Sequence, residues 1–183
     1  GLVWNYTDGT NTLNAVADGD EWSNAKPVTY NGTTFITAIK MESSTVFSFT
    51  APSKGKLTIV SSSDNSAPYV LLNDVNTPIS KSGAVTVPVE QGSVKITRGS
   101  TSTGIYMLEF VPDAKEYLTG DADNSGALTS NDAAGIAKKA MDNSYITELE
   151  RAGGSALDCL DIDKNGIITA NDAAEVLELV LNP

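Results

Sequence analysis

The first part of the chain consists of short apolar runs separated by turn residues, and several of these runs alternate apolar and polar positions. Val94 and Ile96 would face one side of a strand, with Lys95 between them on the other side, which is the period of two that a half-buried strand needs. Pairs such as Asn31-Gly32 supply turn signals between runs. The pattern predicts eight strands: Val3–Tyr6, Thr33–Met41, Thr45–Thr50, Lys56–Ser61, Tyr69–Leu72, Ala84–Val89, Ser93–Thr97 and Gly104–Val111. We therefore predict an antiparallel, jelly-roll-like β-sandwich over residues 1–112.

Beyond residue 112 the apolar spacing changes to that of helices. Two segments carry an apolar stripe with a period near 3.6 residues, which predicts helices at about Asn131–Met141 and Asn171–Leu181. A third, shorter helix is expected near Ile146–Arg151. We predict a small all-α domain over residues 113–183.

Each long helix is preceded by a twelve-residue acidic loop, and the two loops, which start at Asp121 and Asp161, match at an offset of 40 residues. A calcium loop supplies oxygens from positions 1, 3, 5, 7, 9 and 12 and needs glycine at position 6, which is Gly126 or Gly166 here. The predicted ligands of two calcium ions are Asp121, Asp123, Ser125, the Ala127 carbonyl and Asp132, then Asp161, Asp163, Asn165, the Ile167 carbonyl and Asp172, with Thr129 and Thr169 at position 9. The alternative is that Asp and Asn only cap the helices. Helix caps do not explain oxygens at alternate positions of both loops.

Charge follows the same division of the chain. The net charge is −11, of which residues 1–112 carry −2 and residues 113–183 carry −9. Two calcium ions would relieve this repulsion, so we expect the acidic part to fold poorly without metal. The acidic balance argues against nucleic acid as a partner, and no apolar run is long enough to span a membrane.

The residues that carry most enzymatic chemistry are scarce. The chain has no histidine, which excludes histidine zinc sites and histidine-dependent triads, and its one cysteine, Cys159, is expected to be a buried apolar residue. The acidic residues of the first domain lie mainly in loops or turns, and none lies in an apolar stretch that would raise its pKa for acid catalysis. We therefore predict no enzyme activity, and expect the chain to be a piece of a larger secreted polysaccharide-degrading enzyme.

The paired segments 120–134 and 160–174, each a loop that runs into Asn-Asp-Ala-Ala, resemble the type I dockerins of cellulosomal proteins. The resemblance covers about residues 117–183 and implies two half EF-hand calcium loops that dock onto a cohesin of a scaffoldin outside the cell. It implies the following cohesin-facing residues: Ser130, Asn131, Ala137, Lys138, Ala170, Asn171, Leu177 and Glu178. The spacing between the loops is long for that family, with an insert around residues 142–154. The offset of 40 pairs Lys138 with Glu178, so we expect a single docking orientation.

The segments Val94–Gly99 and Gly104–Phe110 resemble the closing strands of carbohydrate-binding modules found beside pectate lyases. Such a module would bind sugars through exposed aromatic rings, of which Trp22 is the candidate, or through cations that pair with uronic acids. The candidate cations are Lys40, Lys56 and Lys95, which would share a face that meets pectin. Two alternatives remain: these residues are ordinary core and surface positions, or the sandwich only supports the dockerin and has no glycan ligand.

Overall fold

The computed structural model describes residues 1–182. The chain divides into two compact units, with the boundary between Ala114 and Lys115. In the described residues no helix is long and apolar enough to cross a bilayer.

The first unit is an antiparallel β-sandwich, as predicted. Its strands are β1 Leu2–Asn5, β2 Val16–Asp18, β3 Val28–Tyr30, β4 Thr33–Phe35, β5 Ile39–Lys40, β6 Val46–Ala51, β7 Gly55–Ser63, β8 Tyr69–Leu72, β9 Val75–Pro78, β10 Ser82–Val89, β11 Gly92–Arg98 and β12 Thr103–Pro112. One five-stranded sheet has the order β1-β12-β7-β10, with β5 also paired to β12, and the other has the order β2-β6-β11-β8-β9. Strands β3 and β4 form a separate hairpin.

The structure differs from the predicted strands in two respects. The run Thr33–Met41 forms two strands that belong to different sheets, since β4 pairs with β3 and β5 pairs with β12. Residues 36–38 connect them, and Ile36 is 58% exposed there. Strands β2, β3 and β9 were not predicted. The turn that makes β9 a hairpin partner of β8 has positive φ at Asn73 and Asp74, and two positive φ angles at an Asx pair are the signature of a tight hairpin turn.

The main core lies between the two sheets. Phe47, Ile96 and Leu108 are completely buried there, and Trp4 packs edge-on against Phe47 with ring centroids 4.9 Å apart. Val94 and Ile96 are buried while Lys95 is exposed, so the predicted alternation of this strand is confirmed. Trp4 is therefore a core residue, with 7% of its surface exposed.

A smaller apolar cluster lies on the other face of the β12-containing sheet. Val60 and Tyr106 belong to it together with Val28 and Phe35 of the hairpin. The Tyr106 hydroxyl lies 2.8 Å from Ser62 Oγ and donates to the Lys26 carbonyl at 2.5 Å. The hairpin thus covers one end of that face, and the other end carries Lys56.

The second unit is helical. Its helices are α1 Ser130–Met141, α2 Glu148–Arg151, α3 Ala156–Leu160 and α4 Ala170–Leu181. Predicted helices at 131–141, 146–151 and 171–181 correspond to α1, α2 and α4, whereas α3 was not predicted. Ile136, Leu149, Leu160 and Val176 are completely buried between these elements. Cys159 is 9% exposed, and burial raises the pKa of its thiol, so it is a packed residue.

Candidate metal loops and binding surfaces

The first acidic loop is folded around its own aspartates. Asn124 and Gly126 have positive φ, which turns the backbone N–H groups of Ser125 and Gly126 inward. Asp121 Oδ1 accepts the Ser125 N–H at 2.9 Å, and Asp121 Oδ2 accepts the Gly126 N–H at 2.7 Å. These bonds hold a carboxylate that is only 3% exposed.

The last aspartate of this loop joins the loop to α1. Asp132 is completely buried. Its Oδ1 accepts the Asp123 N–H at 3.1 Å, and its Oδ2 accepts the Thr129 N–H at 2.7 Å. The Thr129 hydroxyl in turn accepts the Asn131 N–H at 3.2 Å, which completes a capping box at the start of the helix.

The second loop repeats this arrangement 40 residues later. Asp161 accepts the N–H groups of Asn165 at 3.1 Å and Gly166 at 2.7 Å. Asp172 is completely buried and accepts the Ile162 and Thr169 N–H groups, both at 2.7 Å. The capping explanation and the metal explanation therefore do not exclude each other, because position 12 also serves as the capping-box acid.

Three carboxylates converge in each loop. Ligand oxygens of Asp121, Asp123 and Asp132 lie within 4.8 Å of one another, and so do those of Asp161, Asp163 and Asp172. Within the described residues no Lys or Arg forms a salt bridge with any of the six. Buried like charges at this separation are costly unless a cation lies between them. An all-oxygen set of this kind fits a hard divalent ion such as calcium.

The remaining predicted ligands lie at the open side of each loop. Ser125 Oγ donates to the Ala127 carbonyl at 3.1 Å, so these two oxygens are neighbours. In the second loop Asn165 Nδ2 donates to Asp163 Oδ2 at 2.7 Å, and Asn165 Oδ1 accepts the Ile167 N–H at 2.9 Å. The loops differ in these side-chain contacts but keep the same backbone frame.

Hydrogen bonding favours ionised aspartates in both loops. The pKa of Asp123 is lowered, chiefly by the Ser125 hydroxyl. Burial would raise the pKa of Asp172, but hydrogen bonds from Thr169 and Ile162 outweigh it and lower the pKa. Partial burial, together with the charges of the nearby aspartates, raises the pKa of Glu175 on α4.

The eight residues implied as cohesin-facing lie along α1 and α4. Seven of them are exposed, namely Ser130, Asn131, Lys138, Ala170, Asn171, Leu177 and Glu178, and Ala137 is half-buried. The two helices pack against each other through their opposite, buried faces. The exposed faces differ in chemistry, because α1 exposes Lys138 in its last turn and α4 carries no basic residue in its last turn.

The segment between the loops contains contacts that the sequence did not indicate. Lys139 is 7% exposed. Its Nζ donates to the carbonyls of Asn143 at 3.0 Å and Tyr145 at 2.8 Å and to Glu150 Oε1 at 2.8 Å. The sequence feature that could have indicated the burial of Lys139 is its position three residues after the buried Ile136, on the apolar side of α1. Helix α3 leads directly into the second loop, whereas residues 113–129, which precede and form the first loop, contain no helix.

Trp22 does not form a sugar platform. It is 6% exposed, and a Cβ placed on Gly104 would lie 2.5 Å from its ring, so the indole fills space directly above β12. In residues 1–114, all of which the structure describes, no aromatic side chain is exposed, and those that reach the surface, Tyr6, Tyr30 and Tyr69, are half-buried. The expectation that Trp22 binds a pyranose face is therefore wrong.

The three candidate lysines do not share a face. Lys95 lies on β11 in one sheet, and Lys40 and Lys56 lie in the other. Lys40 pairs with Gly104 and Lys56 with Val111 along β12, a separation of roughly 20 Å at about 3.3 Å per residue. Lys40 Nζ also lies 2.6 Å from Glu42 Oε1, and this contact lowers the pKa of Glu42. The alternating pattern of a strand predicts which side chains point outward, but it does not predict the sheet to which the strand belongs.

The unpaired cations of the sandwich are four side chains. Among the residues that the structure describes in this unit, those without an acidic partner within 4.0 Å are Lys56, Lys81, Lys95 and Arg98. Lys81 was not among the candidates. It lines a surface cavity of about 390 Å³ together with Tyr69 and Asn76.

The family match concerns the sandwich unit. A family model described as "Carbohydrate binding module 77" matches residues 1–108. A structure from "The complexity of the Ruminococcus flavefaciens cellulosome reflects an expansion in glycan recognition" is 30% identical with a TM-score of 0.55, covering 62% of this chain and 95% of that chain.

Two further solved structures are more distant. The Podospora anserina GH26-CBM35 β-(1,4)-mannanase is 17% identical with a TM-score of 0.38, covering 75% of this chain and 34% of that chain. "Xyl-CBM35 in complex with glucuronic acid containing disaccharide" is 18% identical with a TM-score of 0.36, covering 62% and 95%. Neither is similar enough to support an inference about this chain. No curated protein matches it.

Proposed function

The chain belongs to the carbohydrate binding module 77 family through residues 1–108, and on that premise we propose that it is a non-catalytic adaptor of a cellulosome. In this proposal the sandwich binds a plant cell-wall polysaccharide. The helical unit is a calcium-dependent dockerin that binds a cohesin of a scaffoldin. The adaptor is secreted and works outside the cell, attached to the cell surface through the scaffoldin, with an enzyme upstream.

The observation that carries the docking half of the proposal is the duplicated loop frame. Both loops hold three convergent carboxylates with no cation partner in the described residues. In each loop a buried aspartate ties the loop to the following helix. When bound, calcium supplies the positive charge that these carboxylates lack. Because these aspartates lie in the first turns of α1 and α4, ion binding and helix packing are coupled.

Calcium dependence is tested by following the far-ultraviolet circular dichroism of the full chain while calcium is removed with EDTA. All four helices lie in the second unit, so the helical signal reports on that unit alone. We expect it to fall on chelation and to return on adding calcium, with the sandwich intact by fluorescence of Trp4 and Trp22. A helical signal that EDTA leaves unchanged would refute metal-coupled folding.

Cohesin binding is tested by copurification with a panel of recombinant cohesins in calcium and in EDTA. We expect at least one member of the panel to bind in calcium only. Replacement of Asp121 and Asp161 by Asn should abolish that binding, because each accepts two loop N–H groups and offers a predicted metal ligand. Binding that survives both substitutions and EDTA would contradict a calcium-dependent dockerin.

An acidic glycan such as pectin is the favoured ligand class for the sandwich. The absence of an exposed aromatic ring in residues 1–114 speaks against a stacking platform. Exposed lysines without acid partners, including Lys56 and Lys95, could pair with uronate carboxylates. The family membership and the similarity to a cellulosomal structure from work on glycan recognition support a glycan-binding role.

Single substitutions of the three lysines can locate the binding face, because Lys95 lies in one sheet and Lys40 and Lys56 lie far apart in the other. We expect affinity gels containing homogalacturonan to retard the protein. One of the single substitutions Lys40→Ala, Lys56→Ala or Lys95→Ala should remove most of the retardation, while the other two serve as matched controls of equal charge change. No retardation by homogalacturonan or by neutral wall polymers would favour a sandwich that only supports the dockerin.

A further inference from the structure

The two halves of the helical unit are not equivalent on one flank of their long helices. The offset of 40 residues pairs five positions of the first half with five of the second, namely Ala122, Gly135, Lys138, Lys139 and Asp142 with Ile162, Glu175, Glu178, Leu179 and Asn182. On the first half, Ala122 and Lys139 are buried under chain, whereas Lys138 and Asp142 are exposed. On the second half all five positions line an open groove.

The covering chain on the first half is residues 142–151, which we call the covering segment. Its Leu149 is completely buried and donates its N–H to the Ala122 carbonyl at 3.1 Å. Lys139 donates to two carbonyls and one carboxylate of the segment. Lys138 Nζ lies 5.8 Å from the centroid of the Tyr145 ring. The segment therefore occupies the α1 flank through an apolar side chain, a backbone donor and a charge pair.

The second half has the same backbone but no such cover. Ile162, Glu175, Glu178, Leu179 and Asn182 line a cavity of about 450 Å³, which we call the α4 groove. Leu179 is 47% exposed, whereas its mate Lys139 is 7% exposed. Ile162 is the residue equivalent to Ala122, whose carbonyl accepts the Leu149 N–H. Within residues 1–182 no backbone N–H donates to the Ile162 carbonyl. The groove thus has an apolar wall and a backbone carbonyl that accepts no hydrogen bond from residues 1–182.

The negative charge of the α4 groove determines which side chains a bound segment must carry. Glu175 and Glu178 replace Gly135 and Lys138, and in the described part of the chain neither glutamate has a cation within 4.0 Å. An occupant must therefore present a basic side chain to the glutamates and an apolar one to Leu179. The covering segment itself, with Glu148 and Glu150, has the wrong sign for this place.

We propose that the α4 groove receives a basic segment of the cohesin that bears an apolar side chain, and that only the second half offers such a groove because the covering segment fills the equivalent space beside Ala122 and Lys139. This inference rests on the proposed dockerin function and adds to it which half binds and what chemistry the partner presents. Apolar contact with Leu179 and desolvated pairing with Glu178 then supply specificity as well as affinity.

The test measures the affinity of a cohesin from the binding panel for full-length variants in excess calcium. Glu178→Lys and Leu179→Lys each place the first-half residue on the second half, and both positions are exposed, so the fold should tolerate them. Lys115→Glu is the matched control, because it makes the same size of charge reversal at an exposed residue of this unit that lies outside both long helices. We expect each α4 variant to weaken binding at least about tenfold, and Lys115→Glu to change it less than about twofold.

Circular dichroism and a calcium titration of each variant establish that the helical unit remains folded. If a lysine variant fails this control, Glu178→Gln and Leu179→Ala replace it, with a smaller expected loss of about threefold to fivefold. Equal losses from Lys115→Glu and the α4 variants, or unchanged binding by both folded α4 variants, would overturn the inference. The absence of any cohesin that binds the unchanged chain in calcium would instead remove the proposed function, and the inference with it.

Discussion

Lys139→Met is the substitution whose effect can be worked out in most detail from the structure. Lys139 and Glu150 form an ion pair of 2.8 Å with side chains only 8% and 21% exposed. Glu150 also accepts the N–H and hydroxyl of Thr147 through its other oxygen. Methionine would fill the space of the lysine stem but leave Glu150 and two backbone carbonyls without their donor.

Breaking one side of a buried ion pair costs about 3–5 kcal/mol. Glu150 keeps its Thr147 hydrogen bonds and some access to water, so we expect about 3 kcal/mol, at the lower end. For a unit of this size that lowers Tm by roughly 12–24 °C. Lys138→Met is the matched control, since Lys138 is exposed and lies only near the Tyr145 ring; it should cost about 0.5 kcal/mol or less.

The assay is urea unfolding of the full chain in excess calcium, read by two probes. Circular dichroism at the helical band follows the second unit, and tryptophan fluorescence follows the sandwich, because Trp4 and Trp22 both lie there. Lys139→Met should shift the first transition and leave the second in place. A shift below about 1 kcal/mol, or an equal shift from Lys138→Met, would refute the idea that this pair fixes the covering segment.

The same pair predicts a dependence on pH. Burial opposes ionisation of Glu150, but the hydrogen bonds from Lys139 and Thr147 outweigh it and lower the pKa below the usual value near 4.5. A carboxyl with a lowered folded pKa contributes stability above its unfolded pKa and loses it as pH falls through the folded value. The stability gap between the unchanged chain and Lys139→Met should therefore narrow below about pH 4.5. A gap that stays constant down to pH 3 would contradict the assignment.

Two further changes test the fold around the proposed sites. Gly104→Ala would place a Cβ 2.5 Å from the Trp22 ring and should destabilise the sandwich by about 3 kcal/mol. Gly32→Ala is the control, because its φ is +76° and no atom lies within 4 Å of the added Cβ, so it should cost only about 1 kcal/mol. Equal effects in fluorescence-monitored unfolding would show that Trp22 is not packed on β12. Thr129→Ala and Thr169→Ala each remove one capping box and should each cost about 1 kcal/mol of helical-unit stability; a cost at one helix only would show that the two halves are not built alike.

The structure contradicts the prediction that Lys40, Lys56 and Lys95 share one face. The alternation of Val94, Lys95 and Ile96 correctly predicted which side chains point outward from β11. It could not tell that Lys40 and Lys56 belong to the other sheet, since strand order depends on pairing between residues far apart in the chain. Trp22 lies in a polar, turn-rich stretch, and only the path of that stretch across β12 buries its ring.

The sequence by itself determined the local parts of this protein. A single sequence is enough to find the two loops, because their structure depends on hydrogen bonds within twelve residues of chain. The features that predict them are Gly126 and Gly166, the alternating acids and the threonine caps. The tertiary structure alone decided the rest: the burial of Lys139 under residues 142–151 and the exposure of its repeat mate Leu179. Two halves with matching loops differ there because one flank receives a segment of chain and the other does not, and no local pattern encodes where a distant segment will pack.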